Sequence, residues 1–208
     1  MSRPCEGNCT VPRPGEIDHD LNEFWVESPW KIFDEHNLSA FERNRMFLNA
    51  GGRQFIDASY VSGTDSDGDG RASLAADLND DGRLELIVRQ CGGGPLQVYE
   101  NHFPQQHYLK VSLRGTTSNR LGVGARLIAT VGKRQLVRER FPINSYLSQA
   151  PLVVHFGLGD AAQIDQLVIQ WPSGKKSELS SLAADQHLVV TEGSEGFQVA
   201  KPGEVIQP

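Results

Sequence analysis

The residues from Asp77 to Val88 have the types and spacing of a loop that binds a hard cation. The side chains that carry oxygen are Asp77, Asn79, Asp81 and Glu85. Such a loop takes oxygens from its first, third, fifth and ninth positions, and the backbone carbonyl of Arg83 can supply another. A glycine, Gly82, permits the sharp turn. Position twelve is Val88, where an EF-hand needs a bidentate glutamate, so the pattern predicts a calcium loop of another kind.

A second acidic run lies a few residues upstream of this loop. Its carboxylates are Asp65, Asp67 and Asp69, with one residue between each pair. The run could hold an ion of its own. The alternative is that its Asp-Gly dipeptides only form hairpin turns. The sequence leaves both interpretations open.

A catalytic site can also be written down around His155. This histidine alternates outward between Val154 and Phe156 on a predicted strand. Its candidate partners are Ser145, Ser148 and Asp160. A Ser/His/Asp arrangement would make the protein a hydrolase. No Gly-x-Ser-x-Gly nucleophile elbow is present, and the alternative is a histidine whose hydrogen bonds are satisfied within a strand or turn.

Other combinations are less specific. His102, His107 and Cys91 could bind a transition metal, but their spacing matches no familiar ligand set. Gly122-Val-Gly124 opens a strand instead of a helix, which indicates a turn and not a dinucleotide loop. The densest basic stretch could form a cationic face for an acidic glycan or protein surface, or only the solvated face of strands. Its candidate residues are Arg114, Arg120, Arg126, Arg138 and Arg140.

The composition is that of an ordinary globular protein, with 208 residues, 38% of them hydrophobic and 22% charged. The net charge of −6 is divided unevenly: nine basic and eighteen acidic residues up to Gln105, then eleven basic and eight acidic residues. This asymmetry predicts two units and argues against nucleic acid as the main partner. No apolar run approaches the ~20 residues of a membrane span. No leader follows Met1, so we expect a cytoplasmic protein, a chain without its leader or the tail of a longer one.

The elements that must position these residues are mostly short strands. Half-polar strands between Gly and Pro turns predict an all-β chain from Arg45 onward. The strands up to Tyr99 amount to about one propeller blade, and those from Leu109 onward predict an antiparallel sandwich or a barrel-like sheet pair. Before them, Ser39 can cap a short helix from Phe41 to Met46. Near the start, Cys5 and Cys9 could form a disulfide in an oxidising compartment or stay unpaired.

The first group of strands carries a resemblance. Three motifs, Asn44-Arg-Met-Phe-Leu-Asn49, Gly52-Arg-Gln-Phe-Ile-Asp57 and Asp77-x-Asn-x-Asp-Gly-x-x-Glu-Leu-Ile-Val88, resemble an FG-GAP (VCBS-type) repeat. In that family the Asp-rich loop holds calcium between strands of a propeller blade. The resemblance implies the same five ligands as the spacing does, with Glu85 at a position where the family usually has Asp.

The second group resembles the ASPIC/UnbV domain. The motifs that carry this resemblance are Ser118-Asn-Arg-Leu-Gly-Val-Gly-Ala-Arg126, Asn144-Ser-Tyr-Leu-Ser-Gln149, His155-Phe-Gly-Leu-Gly159 and Ile164-Asp-Gln-Leu-Val-Ile-Gln-Trp-Pro-Ser-Gly174. An FG-GAP repeat followed by this domain is the arrangement of cartilage acidic protein and many secreted bacterial proteins. No catalytic residue is established for the domain, so the resemblance transfers none.

Together these observations predict four segments and one function. The segments are an N-terminal arm with an aromatic cluster and the short helix (1–43), the FG-GAP/VCBS-like repeat (44–104), the ASPIC/UnbV-like β domain (105–193) and a C-terminal tail (194–208). We expect a non-enzymatic, secreted or extracytoplasmic binding or adhesion module, stabilised by Ca²⁺, within a longer multi-repeat chain. Its ligand would be an unknown glycan or protein. The alternative is a hydrolase or other enzyme acting on saccharide or peptide near His155.

Overall fold

The computed structural model describes residues 17–18, 23–24, 43–68, 70–90, 95–146 and 148–201. Every regular element in these ranges is a β-strand, which confirms the predicted all-β class. Across the same ranges, no helix has the length and apolarity that crossing a membrane would require. Cys5, Cys9 and Cys91 lie outside the described residues.

The chain divides into two compact units, Met1–Ser73 with Ile87–Tyr99, and Leu74–Leu86 with Glu100–Pro208. The predicted segment boundaries remain predictions. The compact units nevertheless group the 77–85 loop with the strands that follow Glu100. The loop is therefore described below with those strands.

In the residues that the structure describes, seven short strands precede residue 100. They are β1 (Ile17–Asp18), β2 (Glu23–Phe24), β3 (Phe47–Asn49), β4 (Phe55–Asp57), β5 (Gly70–Ala76), β6 (Glu85–Gln90) and β7 (Gln97–Tyr99). β1 pairs with β2, β3 pairs with β4, and β5, β6 and β7 form a three-stranded sheet. The β3–β4 hairpin turns at Gly51 and Gly52, which both have positive φ.

The predicted helix is wrong where the structure describes it. Residues 43–46 are not helical and lead directly into β3. Their backbone groups bond to distant residues: Asn44 N–H donates to the Ser66 carbonyl and Met46 N–H to Ser59 Oγ. The Met46 carbonyl accepts from Ala58 N–H. These partners replace the i−4 bonds of a helix, so the tertiary pairing overrides the local capping signal. Ser39 and Phe41 lie outside the described residues.

After residue 100, the described part of the chain contains ten strands. They are β8 (His107–Arg114), β9 (Arg126–Val131), β10 (Arg134–Glu139), β11 (Ile143–Ser145), β12 (Ser148–Gln149), β13 (Val154–Gly159), β14 (Gln163–Gln170), β15 (Lys176–Ala183), β16 (Gln186–Thr191) and β17 (Gln198–Val199). They form one sheet in the order β10-β9-β14-β15, a second in the order β13-β8-β16-β17, and the small hairpin β11-β12.

The two four-stranded sheets share one hydrophobic core. Alternate residues point inward, for example Leu109 and Val111 from β8 and Leu127 and Ala129 from β9, all fully buried. Phe156 is among the largest fully buried side chains. This is the predicted sandwich arrangement. One pairing differs from the antiparallel expectation, because β16 runs parallel to β8, with Leu188 opposite Val111.

Candidate functional site

The loop that joins β5 to β6 wraps around the carboxylate of Asp77. Asp77 Oδ1 accepts a hydrogen bond from Asp81 N–H at 3.1 Å, and Asp77 Oδ2 accepts one from Gly82 N–H at 3.0 Å. Asp80 and Gly82 both have positive φ, of 60° and 86°. These conformations turn the chain tightly enough for the amides to reach back to the carboxylate. The sequence pattern therefore folds as a compact loop around its first residue.

Asp81 and Arg83 form a second hydrogen-bonded group in the loop. Arg83 N–H donates to Asp81 Oδ1 at 2.8 Å, and Arg83 Nε donates to Asp81 Oδ2 at 3.0 Å. Asn79 Nδ2 also donates to Asp81 Oδ2. Hydrogen bonds from the Arg83 side chain and backbone lower the pKa of Asp81 to about 2. Asp81 is therefore ionised at neutral pH.

Glu85 supplies the loop with a buried carboxylate. The residue is 4% exposed. Its Oε2 accepts from Leu78 N–H at 2.8 Å, which ties the start of β6 to the loop. Its Oε1 is buried and has no hydrogen-bond partner. A buried carboxylate oxygen without a donor or cation is costly, so this atom is the part of the loop that most requires a positive partner.

Lys110 of β8 reaches into the loop. Its ammonium lies 3.0 Å from Asp77 Oδ2 and 2.6 Å from Asp80 Oδ1, and its side chain is only 9% exposed. Burial alone would lower the pKa of Lys110, but hydrogen bonds to Asp80 and Asp77 outweigh it and raise that pKa. The lysine is therefore a cation at neutral pH and supplies part of the charge that the loop carboxylates need. Sequence analysis did not identify it, because its partners lie thirty or more residues away.

Gly82 seats the loop on two aromatic side chains. The Gly82 carbonyl accepts a hydrogen bond from His155 Nε2 at 2.8 Å. The rings of Tyr108 and His155 stack at 6.0 Å with an interplanar angle of 8°. A Cβ added at Gly82 would overlap the Tyr108 ring. Gly82 is thus required twice, for its positive φ and for close contact with Tyr108.

We expect Gly82→Ala to lower the free energy of unfolding by roughly 3 kcal/mol, because left-handed backbone strain and overpacking against Tyr108 act together. Gly132→Ala is the matched control. Gly132 also has positive φ, but a Cβ there would meet nothing within 4 Å. Gly132→Ala should lower the free energy of unfolding by roughly 1 kcal/mol, measured by urea titration. Equal losses for the two variants would contradict the proposed contact with Tyr108.

The structure gives His155 a role in packing. Its Nε2 bonds the Gly82 carbonyl. Ser145 lies on β11 and Ser148 on β12, and Asp160 lines a cleft beside His107. Burial lowers the pKa of His155, although the Gly82 bond partly opposes this effect. A neutral imidazole that donates from Nε2 to a carbonyl is already satisfied at that nitrogen.

The other predicted metal ligands lie apart. His107 Nδ1 bonds Asp185 Oδ2 at 2.6 Å, and this pair lines a cleft of about 370 Å³ together with Asp160. His102 Nε2 lies 3.6 Å from Glu100 Oε2. Asp65 pairs with Arg43, and Asp67 is exposed. Asp69 lies outside the described residues. Within those residues, no three His, Cys, Asp or Glu side chains are grouped as a metal site would need.

The five arginines of the predicted cationic face have different environments. Arg120, Arg126 and Arg138 are exposed, and Arg114 is half-buried. Arg138 Nε donates to the His155 carbonyl at 3.2 Å, and its guanidinium lies 5.6 Å from the centre of the Phe156 ring. Arg140 is 2% exposed. It is therefore the one member of this set that the fold encloses.

A buried glutamate, Glu192, organises the turn at residues 116–118, where the motif Ser118 to Arg126 begins. Glu192 Oε2 accepts from three consecutive backbone N–H groups, of Thr116, Thr117 and Ser118, at 2.7–2.9 Å. Its Oε1 accepts from the hydroxyls of Ser118 and Ser173. Burial alone would raise the pKa of Glu192, but these hydrogen bonds lower it to about 2. Sequence analysis missed Glu192, because nothing local marks it out.

The same turn explains the glycines of that motif. Asn119 Nδ2 donates to the Val123 carbonyl, and Asn119 Oδ1 accepts from Val123 N–H. Gly122 and Gly124 have φ of 62° and 91°, which confirms that Gly122-Val-Gly124 is a turn. A Cβ at Gly122 would come within 2.9 Å of Leu113 Cβ. These motif residues therefore build the fold.

Comparison with known proteins supports one of the two predicted resemblances. No curated protein matches the chain in sequence. The FG-GAP/VCBS-type repeat stays a prediction. Residues 115–196, which include the Glu192 turn and most of the sandwich strands, match the protein-family model described as ASPIC and UnbV.

Proposed function

We propose that this chain is a non-enzymatic binding module, acting outside the cytoplasm, whose 77–85 loop is stabilised by calcium. The match of residues 115–196 supports only the domain family. The calcium part of the proposal is supported by the spacing of the loop oxygens and by one buried carboxylate oxygen that has no partner. The extracytoplasmic and adhesive parts are supported by the predicted resemblance to secreted proteins.

The observation that carries the calcium proposal is the buried Glu85 Oε1, which has no hydrogen-bond partner. The net charge of the loop also favours a bound cation. The loop brings together Asp77, Asp80, Asp81 and Glu85, against the two cations Arg83 and Lys110, which leaves two negative charges unmatched. A divalent cation has the charge that would balance them, and oxygen ligands of this kind suit calcium.

Calcium would be held by the side chains of Asp77, Asn79, Asp81 and Glu85 and by the Arg83 carbonyl. Its binding would draw the loop carboxylates closer together than they stand in the structure, where, among the described residues, no three of them are grouped as a metal site needs. Asp77 and Asp81 already accept hydrogen bonds from loop amides, but a carboxylate has about four lone-pair sites and keeps capacity for an ion. Bound calcium would supply positive charge and no chemistry. By holding the loop closed, it would keep Gly82 seated on Tyr108 and His155.

We expect calcium to raise the melting temperature of the chain, by roughly 5 °C at a hundredfold excess over its dissociation constant. Asp77→Ala combined with Asp81→Ala should abolish this rise, since two of the proposed ligands are removed. Asp160→Ala combined with Glu178→Ala changes the net charge equally at exposed positions and should leave the rise intact. The melting temperatures of all three proteins are measured by differential scanning calorimetry, once with calcium and once with chelator.

Two results would count against calcium. The first is an unchanged wild-type melting temperature when calcium replaces chelator. The second is an equal rise in the Asp77/Asp81 double variant, which would place the ion elsewhere. Magnesium is the comparison ion, because it is smaller and demands stricter octahedral geometry, and it should give a smaller rise.

The hydrolase hypothesis centred on His155 is the second candidate. The bond from His155 Nε2 to the Gly82 carbonyl favours a structural role over that of a general base. His155→Ala should therefore lower stability and leave any detected turnover of saccharide or peptide substrates unchanged. Turnover that disappears in a folded His155→Ala protein would favour the enzyme.

A further inference from the structure

Arg140 is a buried cation whose charge the protein does not neutralise. It follows the last residue of β10 and is 2% exposed. Its Nε and Nη2 are buried without hydrogen-bond partners, and no ion pair of its guanidinium occurs in the described chain. Nη1 is not among the atoms that are both buried and without a partner.

The backbone holds this side chain in place. Arg140 N–H donates to the Ala125 carbonyl at 2.8 Å, and the Arg140 carbonyl accepts from Gly124 N–H at 2.9 Å. Ala125 is fully buried. The backbone of Arg140 is thereby attached to the glycine turn that precedes β9. These two main-chain hydrogen bonds fix the position from which the buried side chain extends.

A buried guanidinium without an acceptor is unfavourable. Burial lowers the pKa of Arg140, but an arginine does not lose its proton in proteins at ordinary pH, so the positive charge remains. Buried charges in native proteins are paired, and an isolated one costs several kcal/mol. A residue that only filled space at this position would be apolar. The unpaired charge of Arg140 therefore lowers the stability of the fold, and a ligand of opposite charge would offset this loss.

The chemistry of the group defines the ligand. A guanidinium presents parallel N–H donors that match the oxygens of a carboxylate, sulfate or phosphate. Arg126 and Arg138, on β9 and β10, are exposed cations on the strands next to it, and they add to the attraction for an anion. The one carboxylate directly beside it in sequence, Glu139, is exposed and forms no ion pair with it.

We propose that Arg140 is the centre of an oxyanion-binding site at the β9–β10 end of the sandwich, which takes a single carboxylate, sulfate or phosphate group. The proposal extends the binding role suggested above by naming the chemistry of a ligand. It does not depend on the 77–85 loop, so it can fail while the calcium proposal holds, and the reverse is also true.

The test compares thermal unfolding in chloride with unfolding in inorganic sulfate or phosphate at equal ionic strength. Wild-type protein should show a saturable rise in melting temperature of roughly 3 °C at about 10 mM anion. Arg140→Met should lose this rise. In chloride it should be at least as stable as wild type, because an apolar group replaces an unpaired buried charge. Lys133→Met, which removes an exposed charge from the turn at the other end of β9 and β10, should keep the rise.

The outcomes are distinguishable. No saturable rise in wild type, or an equal rise in Arg140→Met, overturns the site and points to general exclusion of sulfate from the surface. If Arg140→Met does not fold, the site is tested with Arg140→Lys and by direct calorimetric titration of wild type with sulfate. Absence of binding heat in that titration again overturns the site. Competition by a monosulfated monosaccharide would assign the group to a larger ligand. A response to inorganic anions alone would assign it to a free ion.

Discussion

Glu192→Ala should lower the melting temperature by roughly 10 °C, because five hydrogen-bond donors lose their common acceptor at once. Three of these donors are consecutive backbone amides, which cannot find other partners without reshaping the turn. The turn also carries Gly122, which packs against Leu113 and Trp171 of the core. The damage should therefore spread from residues 116–118 into the sandwich.

Glu178→Ala is the control for charge, since Glu178 is exposed on β15, and it should leave the melting temperature nearly unchanged. Glu192→Gln should fall between the two. It keeps the shape and one carbonyl oxygen, but its NH₂ group would face donors that need an acceptor. If Glu192→Gln matched wild type, the charge of Glu192 would not matter and shape alone would explain the turn.

The same residue predicts how stability depends on acid. The pKa of Glu192 is about 2 in the folded chain, against an ordinary value of 4.5. Because the folded pKa is lowered, the stabilisation is fully present above about pH 4.5 and is lost as the pH falls towards 2. Unfolding followed by fluorescence between pH 6 and 2 should give a steeper loss for wild type than for Glu192→Ala. Parallel curves for the two proteins would exclude this linkage.

The strands could be predicted where apolar and polar residues alternate strictly. Leu109 and Val111 in β8, or Leu127 and Ala129 in β9, have the period of two that one buried face requires. β15 was missed because its eight residues, Lys176–Ala183, contain no β-branched or aromatic side chain and only two buried leucines. Pairing with β14 makes it a strand, and pairing is not visible in local composition.

The candidate site was predictable only in its local part. The spacing from Asp77 to Glu85 indicated the loop, because all its positions lie within nine residues. Lys110 and Tyr108 complete the site from β8, and His155 does so from β13, at sequence separations that no short motif records. Likewise Arg140 was predicted with the exposed arginines, because burial of a cation is decided by tertiary packing. Local spacing identifies a loop, whereas the surface that holds the loop depends on topology.

Lys110→Met should lower the free energy of unfolding by roughly 3 kcal/mol in the absence of calcium, since it leaves the Asp77 carboxylate buried without its cation. The Asp77 side chain is 4% exposed, so water cannot replace the lysine there. Asp80 is about half exposed and can be solvated, so it adds little to the loss. Lys133→Met, at an exposed turn, should change stability very little in the same urea titration.

Calcium should reverse much of this loss. Without the ammonium, the loop carboxylates repel one another more strongly, and a divalent ion would gain more by binding among them. The rise in melting temperature on adding calcium should therefore be larger for Lys110→Met than for wild type. An equal rise in both proteins would mean that the lysine and the ion act on separate groups. A third outcome is that calcium leaves the loss of stability in Lys110→Met unchanged. That result would show that Lys110 acts independently of any ion site, because the protein would then rely on Lys110 alone to hold Asp77.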